Sequence, residues 1–187
     1  MAKKLLDFGL ALFALVVLSP VMLLISCLVL VSSSGPILYW SSRVGRKNKI
    51  FKMPKFRTMR VGAPAVATDL LSDPEQWLTP IGGFLRKTSL DELPQLWSIV
   101  IGDMSFVGPR PALFNQYDLI DLRTKAGVEM LLPGLTGWAQ VQGRDNLSLA
   151  EKLSLDIEYL KKRSFLFDVY IISKTFWRIL DVRSVSH

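Results

Sequence analysis

Two adjacent carboxylates, Asp91 and Glu92, stand in the middle of residues 86–97, whose sequence is RKTSLDELPQLW. Ser89 precedes Glu92 by three residues, which is the spacing of a helix capping box, so a helix is predicted to begin here. The first turn of a helix presents free backbone N–H groups and the positive end of the helix dipole, and both attract phosphate. We therefore predict that this stretch is the chemical centre of the chain.

The two carboxylates have two interpretations. Neighbouring residues on a helix point in different directions, so Asp91 and Glu92 are not expected to grip one ion together. One can attack phosphorus and form an acyl phosphate, while the other holds a hard cation such as Mg²⁺ together with substrate phosphate. The structural alternative is that both acids simply complement the helix dipole. The dipeptide by itself leaves both interpretations open.

The composition restricts the class of protein and the kind of chemistry. Half of the 187 residues are hydrophobic and the formal net charge is +7, which indicates a membrane protein with anionic lipid or phosphorylated partners rather than nucleic acid. Cys27 is the only cysteine and His187 the only histidine, which argues against Ser-His-Asp, Cys-His and zinc sites. Catalysis is left to carboxylates, Lys, Arg, Tyr, Ser or a metal bound by oxygen.

The uncharged segment over residues 8–31 predicts a membrane helix, since about 24 helical residues span roughly 36 Å. Pro20 removes the hydrogen bond to the carbonyl of Val16 and kinks the helix. The hydroxyl of Ser19 can satisfy a carbonyl freed in the preceding turn. Each arm of the kinked helix is then roughly 18 Å long, which is too short to span a bilayer alone.

Basic residues flank this segment on both sides, and positive charge favours the cytoplasmic face. They are Lys3 and Lys4 before it and Arg43, Arg46, Lys47 and Lys49 after it. With both ends basic, a re-entrant helix is as reasonable as a spanning one. We predict a re-entrant membrane helix over residues 1–35 and one cytoplasmic catalytic domain, lying on the membrane, over residues 36–187.

A short β-hairpin is predicted where residues 37–40 and 50–53 flank the turn-prone residues 45–48. The run that follows, KFRTMR over residues 55–60, interleaves basic and apolar side chains. Lys55 and Arg57 are therefore either phosphate contacts or part of an edge that faces solvent or lipid headgroups.

Three further candidates lie downstream. Arg110 stands between Pro109 and Pro111, which restrict the backbone, and a rigidly presented guanidinium suits bidentate phosphate binding. Arg144 follows a Gly-rich apolar stretch and is another candidate phosphate ligand. Asp156 lies on a predicted amphipathic helix, off its apolar stripe, and is expected to be exposed or to face a site.

Residues 165–180 combine five aromatic side chains with Lys174 and Arg178. This mixture is typical of a helix in the membrane interface, and the alternative is that the aromatics pack the core of the domain. The chain as a whole predicts an α+β, predominantly α, fold. It consists of the Ser-Pro kinked membrane helix and one compact domain with a short hairpin and interfacial amphipathic helices.

Several runs together carry a family resemblance. They are KFRTM (55–59), RKTSLDELPQ (86–95), GDMS (102–105), VGPRP (107–111) and PGLTG (133–137). In this order, behind the Ser19-Pro20 segment, they resemble the bacterial sugar transferases, which are monotopic phosphoglycosyl transferases acting on polyprenyl phosphate. The resemblance covers nearly the whole chain. It is closest to the small members, which lack the additional N-terminal membrane helices of the larger ones.

The resemblance implies transfer of sugar 1-phosphate from a UDP-sugar to undecaprenyl phosphate with release of UMP. This is the first membrane step of glycoconjugate biosynthesis, on the cytoplasmic face of the bacterial inner membrane. Asp91 matches the family nucleophile, which forms a phosphosugar-aspartyl intermediate in a ping-pong mechanism. Glu92 matches the residue that binds Mg²⁺.

The resemblance also implies roles for other residues. Those in or near motifs that contact phosphate are Lys55, Arg57, Arg86, Arg110 and Arg144. Asp156 and Tyr159 form a family-like Asp-x-x-Tyr stretch, and Asp156 is predicted to bind substrate. Gln142 stands where many members have Asn, which bears on substrate contact beside Arg144.

Two alternative functions share these features. A polyprenyl-phosphate phosphatase has the same need for metal, arginines and a membrane, but transfers phosphate to water. In a non-enzymatic, membrane-anchored binding protein, loss of Asp91 would matter no more than loss of any other surface acid. The fixed order of the charged motifs argues against the second alternative.

Overall fold

The computed structural model describes residues 2–64, 73, 75–143 and 146–180, without the side chains of residues 179 and 180. The described part is mainly helical and contains two small sheets. Its α-helices and strands are α1 (Ala2–Ser32), β1 (Leu38–Val44), β2 (Ile50–Phe56), α2 (Gly82–Lys87), α3 (Leu96–Val100), β3 (Ser105–Val107), α4 (Tyr117–Lys125), β4 (Gly134–Thr136), α5 (Trp138–Gln142), α6 (Leu149–Lys162) and α7 (Phe165–Leu180). This composition agrees with the predicted helix-rich α+β fold.

The predicted hairpin is confirmed, and its strands are longer than expected. β1 and β2 pair antiparallel along their whole length. Lys47 and Asn48 make the turn in the left-handed conformation, with φ of 56° and 57°. Lys55 belongs to β2, so a paired strand determines where its ammonium lies.

The helix predicted around Asp91 is present, but its predicted cap is wrong. A 3-10 helix covers Leu90–Gln95 and leads into α3. Ser89 precedes it with φ of 56°, and its side chain makes no capping hydrogen bond. The Glu92 carboxylate accepts a hydrogen bond from Lys55 at 2.7 Å instead, because an ammonium from a packed strand is a stronger donor than a backbone N–H.

α1 continues through Pro20 as one helix of 31 residues. By length and composition, it can cross a membrane. The predicted local compensation is confirmed: Ser19 Oγ donates to the carbonyl of Val16 at 2.7 Å, which is the carbonyl that Pro20 cannot bond. The bend between the two arms stays a prediction.

One stripe of α1 packs against the rest of the protein. Asp7, Ala11, Ile25 and Val29 are buried along it, and Asp7 Oδ2 accepts a hydrogen bond from Ser105 Oγ of β3 at 2.7 Å. Its other faces expose large apolar side chains, which lipid solvates at no hydrophobic cost. The most exposed of these are Leu5, Phe13, Val16, Leu23, Leu24 and Val31.

Both ends of α1 are attached to the same domain. At its start, Lys3 forms an ion pair with Asp168 of α7. Directly after its end, the Arg57 guanidinium donates to the carbonyls of Ser33 and Ser34 at 2.7 and 2.8 Å. The domain therefore contacts both the first turn of the helix and the residues directly after its end.

The parallel pair formed by β3 and β4 was not predicted. Gly108 N donates to the carbonyl of Thr136 at 3.0 Å, and Gly134 N donates to that of Pro109 at 2.9 Å. The two backbones lie so close that a Cβ on Gly134 would be 2.1 Å from Gly108 N. This contact fixes the loop that carries Arg110.

In α7, packing of some aromatics in the domain is confirmed, and its placement in the membrane interface stays a prediction. Phe167 and Tyr170 pack beside the Trp138 ring, with centroid separations of 5.2 and 6.2 Å. Another face of α7 leaves large apolar side chains exposed, as an interfacial helix does. These are Phe165, Leu166, Phe176 and Trp177.

Candidate active site

Lys55 and the adjacent acids form the centre of the candidate site. Lys55 Nζ lies 2.7 Å from Glu92 Oε1 and 3.8 Å from Asp91 Oδ2. Both acids are buried, with 7% and 9% of their surfaces exposed for Asp91 and Glu92. The expectation that the two carboxylates do not meet at one ion is wrong for this ammonium, because the long Lys55 side chain extends from β2 to both.

Two arginines complete the positive surroundings of the acids. Arg110 Nη2 lies 3.2 Å from Glu92 Oε1, and Arg86 Nε donates to Thr58 Oγ1 at 3.0 Å. Burial lowers the pKa of Arg86, and the charge of Asp91 opposes that shift. The site thus brings Lys55, Arg86 and Arg110 together around the acids, as their predicted roles require.

The Asp91 carboxyl is electrostatically unusual. Burial raises its pKa above the ordinary value, and the neighbouring Glu92 carboxylate adds to the shift, whereas Lys55, Arg86 and Arg110 oppose it. A desolvated acid among cations that reach the surface is typical of a functional site. The surplus of positive groups attracts an anionic substrate, such as one that carries phosphate.

Sequence reasoning missed Arg43 as a member of the site. It lies on β1 and donates to the carbonyl of Pro111 at 3.1 Å and to Ser41 Oγ at 2.9 Å. Burial, helped by the repulsion of Arg110, lowers its pKa to about 10 against the attraction of Glu92. In the sequence it is one of several basic residues after the membrane segment, and only strand pairing directs it towards the Arg110 loop.

Asp156 is buried, with 2% of its surface exposed, so the expectation of an exposed carboxylate is wrong, and its contact with substrate stays a prediction. Its Oδ2 accepts hydrogen bonds from Arg123 Nε and Nη2 at 2.9 and 2.6 Å. Arg123 Nη1 in turn donates to the backbone carbonyl of Arg110 at 2.8 Å. Burial raises the pKa of Asp156, while the ion pair with Arg123 opposes the shift.

Two other predicted substrate contacts have different outcomes. The Arg57 side chain is 4% exposed and is bonded to the segment after α1, including Ser33 Oγ at 2.9 Å. Its contact with substrate stays a prediction, and the observed bonds give it a structural role. Arg144 lies outside the described residues.

The residues at this site that could hold a metal ion are carboxylates, whose oxygens are the ligands that Mg²⁺ prefers. Among the residues that the structure describes, no three His, Cys, Asp or Glu side chains form a closed metal cluster. Mg²⁺ commonly takes one or two carboxylates and completes its shell with substrate phosphate and water. Glu92, next to Asp91, is the carboxylate that would hold the ion.

Several known proteins are similar to this chain over most of its length. The family model of the bacterial sugar transferases matches residues 1–182. The exopolysaccharide production protein ExoY of Sinorhizobium fredii is 38% identical, over 93% of this chain and 83% of that protein. The UDP-glucose:undecaprenyl-phosphate glucose-1-phosphate transferase of Escherichia coli is 40% identical, over 94% of this chain and 39% of that protein.

A third relative is the UDP-N-acetylgalactosamine-undecaprenyl-phosphate N-acetylgalactosaminephosphotransferase of Aeromonas hydrophila, which is 33% identical over 95% of this chain and 43% of that protein. The fold, the acid pair among cations and these relatives define a transferase enzyme with an apolar N-terminal helix that suits membrane association. The chain belongs to the bacterial sugar transferase family. The resemblance noted in the sequence is thereby confirmed.

Proposed function

We propose that this enzyme transfers sugar 1-phosphate from a UDP-sugar to undecaprenyl phosphate, or a similar polyprenyl phosphate, and releases UMP. The observation that supports this most directly is the buried Asp91–Glu92 pair facing Lys55 and Arg110. Such a site accepts two anionic substrates and offers a carboxylate nucleophile. The names of the Escherichia coli and Aeromonas hydrophila relatives describe reactions of this type.

The reaction proceeds in two half-reactions on one carboxylate. An Asp91 oxygen attacks the β-phosphorus of the donor, the bond from that phosphorus to the bridging oxygen breaks, and UMP leaves with this oxygen. An oxygen of the lipid phosphate then attacks the same phosphorus. The bond between Asp91 and phosphorus breaks, the carboxylate is regenerated, and the product is a sugar-diphospholipid. One nucleophile thus serves donor and acceptor in turn.

The surrounding side chains offset the charge that collects during both steps. Lys55, which lies between the two carboxylates, neutralises them so that Asp91 can approach a phosphate. Arg110 is held by its ion pair with Glu92 and by its restrained loop, and it lies beside the same carboxylates. Glu92 is the residue that would hold Mg²⁺, which would supply further charge neutralisation to the donor diphosphate.

We place the catalytic domain on the cytoplasmic face, with α1 entering and leaving the membrane on that face. The support is that Lys3 at the start of α1 and Arg57 at its end both contact the same domain. A helix that crossed the bilayer would carry one of these ends to the other side. The exposed apolar face of α7 supplies a second membrane contact.

Labelling single cysteines tests this topology. In a Cys27→Ser background, Lys4→Cys and Lys47→Cys place one thiol near each end of the membrane segment, both at exposed positions. We expect a membrane-impermeant maleimide to label both in inverted inner-membrane vesicles and neither in intact spheroplasts. Labelling of the two positions from opposite faces would show a spanning helix.

The reaction itself is tested with purified protein, Mg²⁺, a panel of UDP-sugars and undecaprenyl phosphate. We expect UMP and a sugar-diphospholipid with at least one donor, and loss of both products when EDTA removes the metal. Without acceptor, the intact-protein mass should increase by one sugar phosphate. Release of inorganic phosphate from undecaprenyl phosphate, with no UMP, would instead identify a phosphatase.

A further inference from the structure

α1 packs against the domain through two clusters, and Leu18 of the first lies one helical turn before Met22 of the second. In its first half, Ala11, with Leu15 and Leu18 beside it, packs on α3. In its second half, Ile25 and Val29 pack on the residues around Phe56 and Leu85. Beside these contacts, a gap on the domain side of the helix is lined by Leu15, Met22 and Ser26 of α1.

The gap is an open apolar groove of roughly 350 Å³. α1 forms one wall and the hairpin and the start of α3 form the others. The residues that define it are Met22, Ser26, Leu38, Phe56, Pro94 and Trp97. Ser26 is the polar member of this set, and its hydroxyl is occupied by a hydrogen bond to the carbonyl of Met22 at 2.7 Å. The groove therefore suits a hydrocarbon and offers little to a polar ligand.

We infer that this groove holds the isoprenoid chain of the polyprenyl phosphate acceptor. Its walls belong to the elements that carry the catalytic residues: Pro94 lies on the same 3-10 helix as Asp91, and Phe56 belongs to β2, which carries Lys55 on its opposite face. A molecule with an apolar tail and one anionic head matches an apolar groove beside a cationic site. The inference rests on the proposed function, since the acceptor is defined there.

The outer faces of α1 expose large apolar side chains. Membrane lipid surrounds the outer faces of α1, so a chain that enters the groove leaves the bilayer without crossing water.

Filling the groove tests the inference. Ser26→Phe adds a ring on the groove wall, and Val16→Phe adds a similar ring on an exposed face of the same helix, where 68% of Val16 is accessible. We expect Ser26→Phe to raise the KM for undecaprenyl phosphate by roughly tenfold or more. Its formation of the sugar-phosphate adduct without acceptor should stay within about twofold of the parent, because the donor does not use the groove. Val16→Phe should change neither quantity.

Acceptor length gives a second readout that a general folding defect would not produce. With a five-carbon prenyl phosphate, whose tail is short, Ser26→Phe and the parent should turn over alike. An unchanged KM for undecaprenyl phosphate in Ser26→Phe, with normal adduct formation, would overturn the groove assignment and leave the proposed function standing.

A crosslinking experiment decides the occupant independently of turnover. A benzophenone amino acid at position 26 should capture radiolabelled undecaprenyl phosphate in phosphatidylglycerol nanodiscs, and one at position 16 should capture much less. Two outcomes would show that the groove holds bulk lipid and would overturn the inference. One is equal capture at both positions, and the other is loss of capture at position 26 when the ratio of phosphatidylglycerol to undecaprenyl phosphate is doubled. Because this arm needs no donor, it remains decisive if no UDP-sugar is a substrate.

Discussion

Asp91→Asn should abolish the sugar-phosphate adduct and reduce UMP-forming turnover by a factor on the order of 10⁴ or more, because the amide cannot act as the attacking oxygen nucleophile. The Asn side chain has nearly the same shape, and its carbonyl oxygen can still face Lys55. Folding should therefore be retained. Intact-protein mass spectrometry with UDP-sugar and Mg²⁺, followed by UMP release with acceptor, measures both quantities.

Asp121→Asn is the matched control for this change. Asp121 is an exposed acid whose ion pair with Lys125 lies on the surface of α4, so the same substitution should leave adduct formation and turnover unchanged. Peptide mapping of the adduct in the parent enzyme separates Asp91 from its neighbour Glu92. Normal turnover by Asp91→Asn, or an adduct that maps to Glu92, would contradict the assignment of the nucleophile.

Local patterns in the chain predicted the elements that depend on nearby residues. The length of the apolar segment predicted α1, and Ser19 beside Pro20 predicted the repaired carbonyl of Val16. Turn residues between two apolar runs predicted the hairpin. In each case the decisive partners lie within a few residues, so one window of sequence contains the whole cause.

Contacts between distant residues could not be predicted in this way. The Ser-x-x-Glu spacing forms a capping box at Ser148 and Glu151, but the same spacing at Ser89 does not, because Lys55 competes for Glu92 from 37 residues away. No local signal distinguishes the two cases. The parallel pairing of β3 with β4 likewise depends on two short segments that meet only when the helices around them have packed.

The candidate site shows the same division. Asp91, Glu92 and Arg110 stand out in the sequence because an acid pair and a guanidinium between prolines are unusual arrangements. Arg123 does not stand out, since it is one basic residue on an ordinary polar helix, and its partner Asp156 is 33 residues away. Its importance comes from burial and from its contact with the Arg110 carbonyl, which are properties of the packed structure.

Asp156→Ala should lower the free energy of unfolding by about 3–5 kcal/mol, because it leaves the Arg123 guanidinium without its counter-ion in a buried place. The Asp156 side chain is 2% exposed and that of Arg123 is 12% exposed, so water cannot replace the lost carboxylate well. Thermal and denaturant unfolding in detergent measure the change. The matched control, Asp121→Ala, removes an exposed ion pair and should cost about 0.5 kcal/mol or less.

Variants of Asp156 and Arg123 also test whether Asp156 binds substrate, as predicted from the sequence, or positions Arg110 through Arg123. If it acts through Arg123, the effects of Asp156→Asn and Arg123→Lys on kcat/KM for the UDP-sugar should not add in the double variant, because each already breaks the connection to the Arg110 carbonyl. A carboxylate that touches substrate would give additive losses and would raise the KM for the UDP-sugar. The structure favours non-additive effects. Asp156 Oδ2 accepts hydrogen bonds from Nε and Nη2 of Arg123, and Nη1 of Arg123 donates to the backbone carbonyl of Arg110.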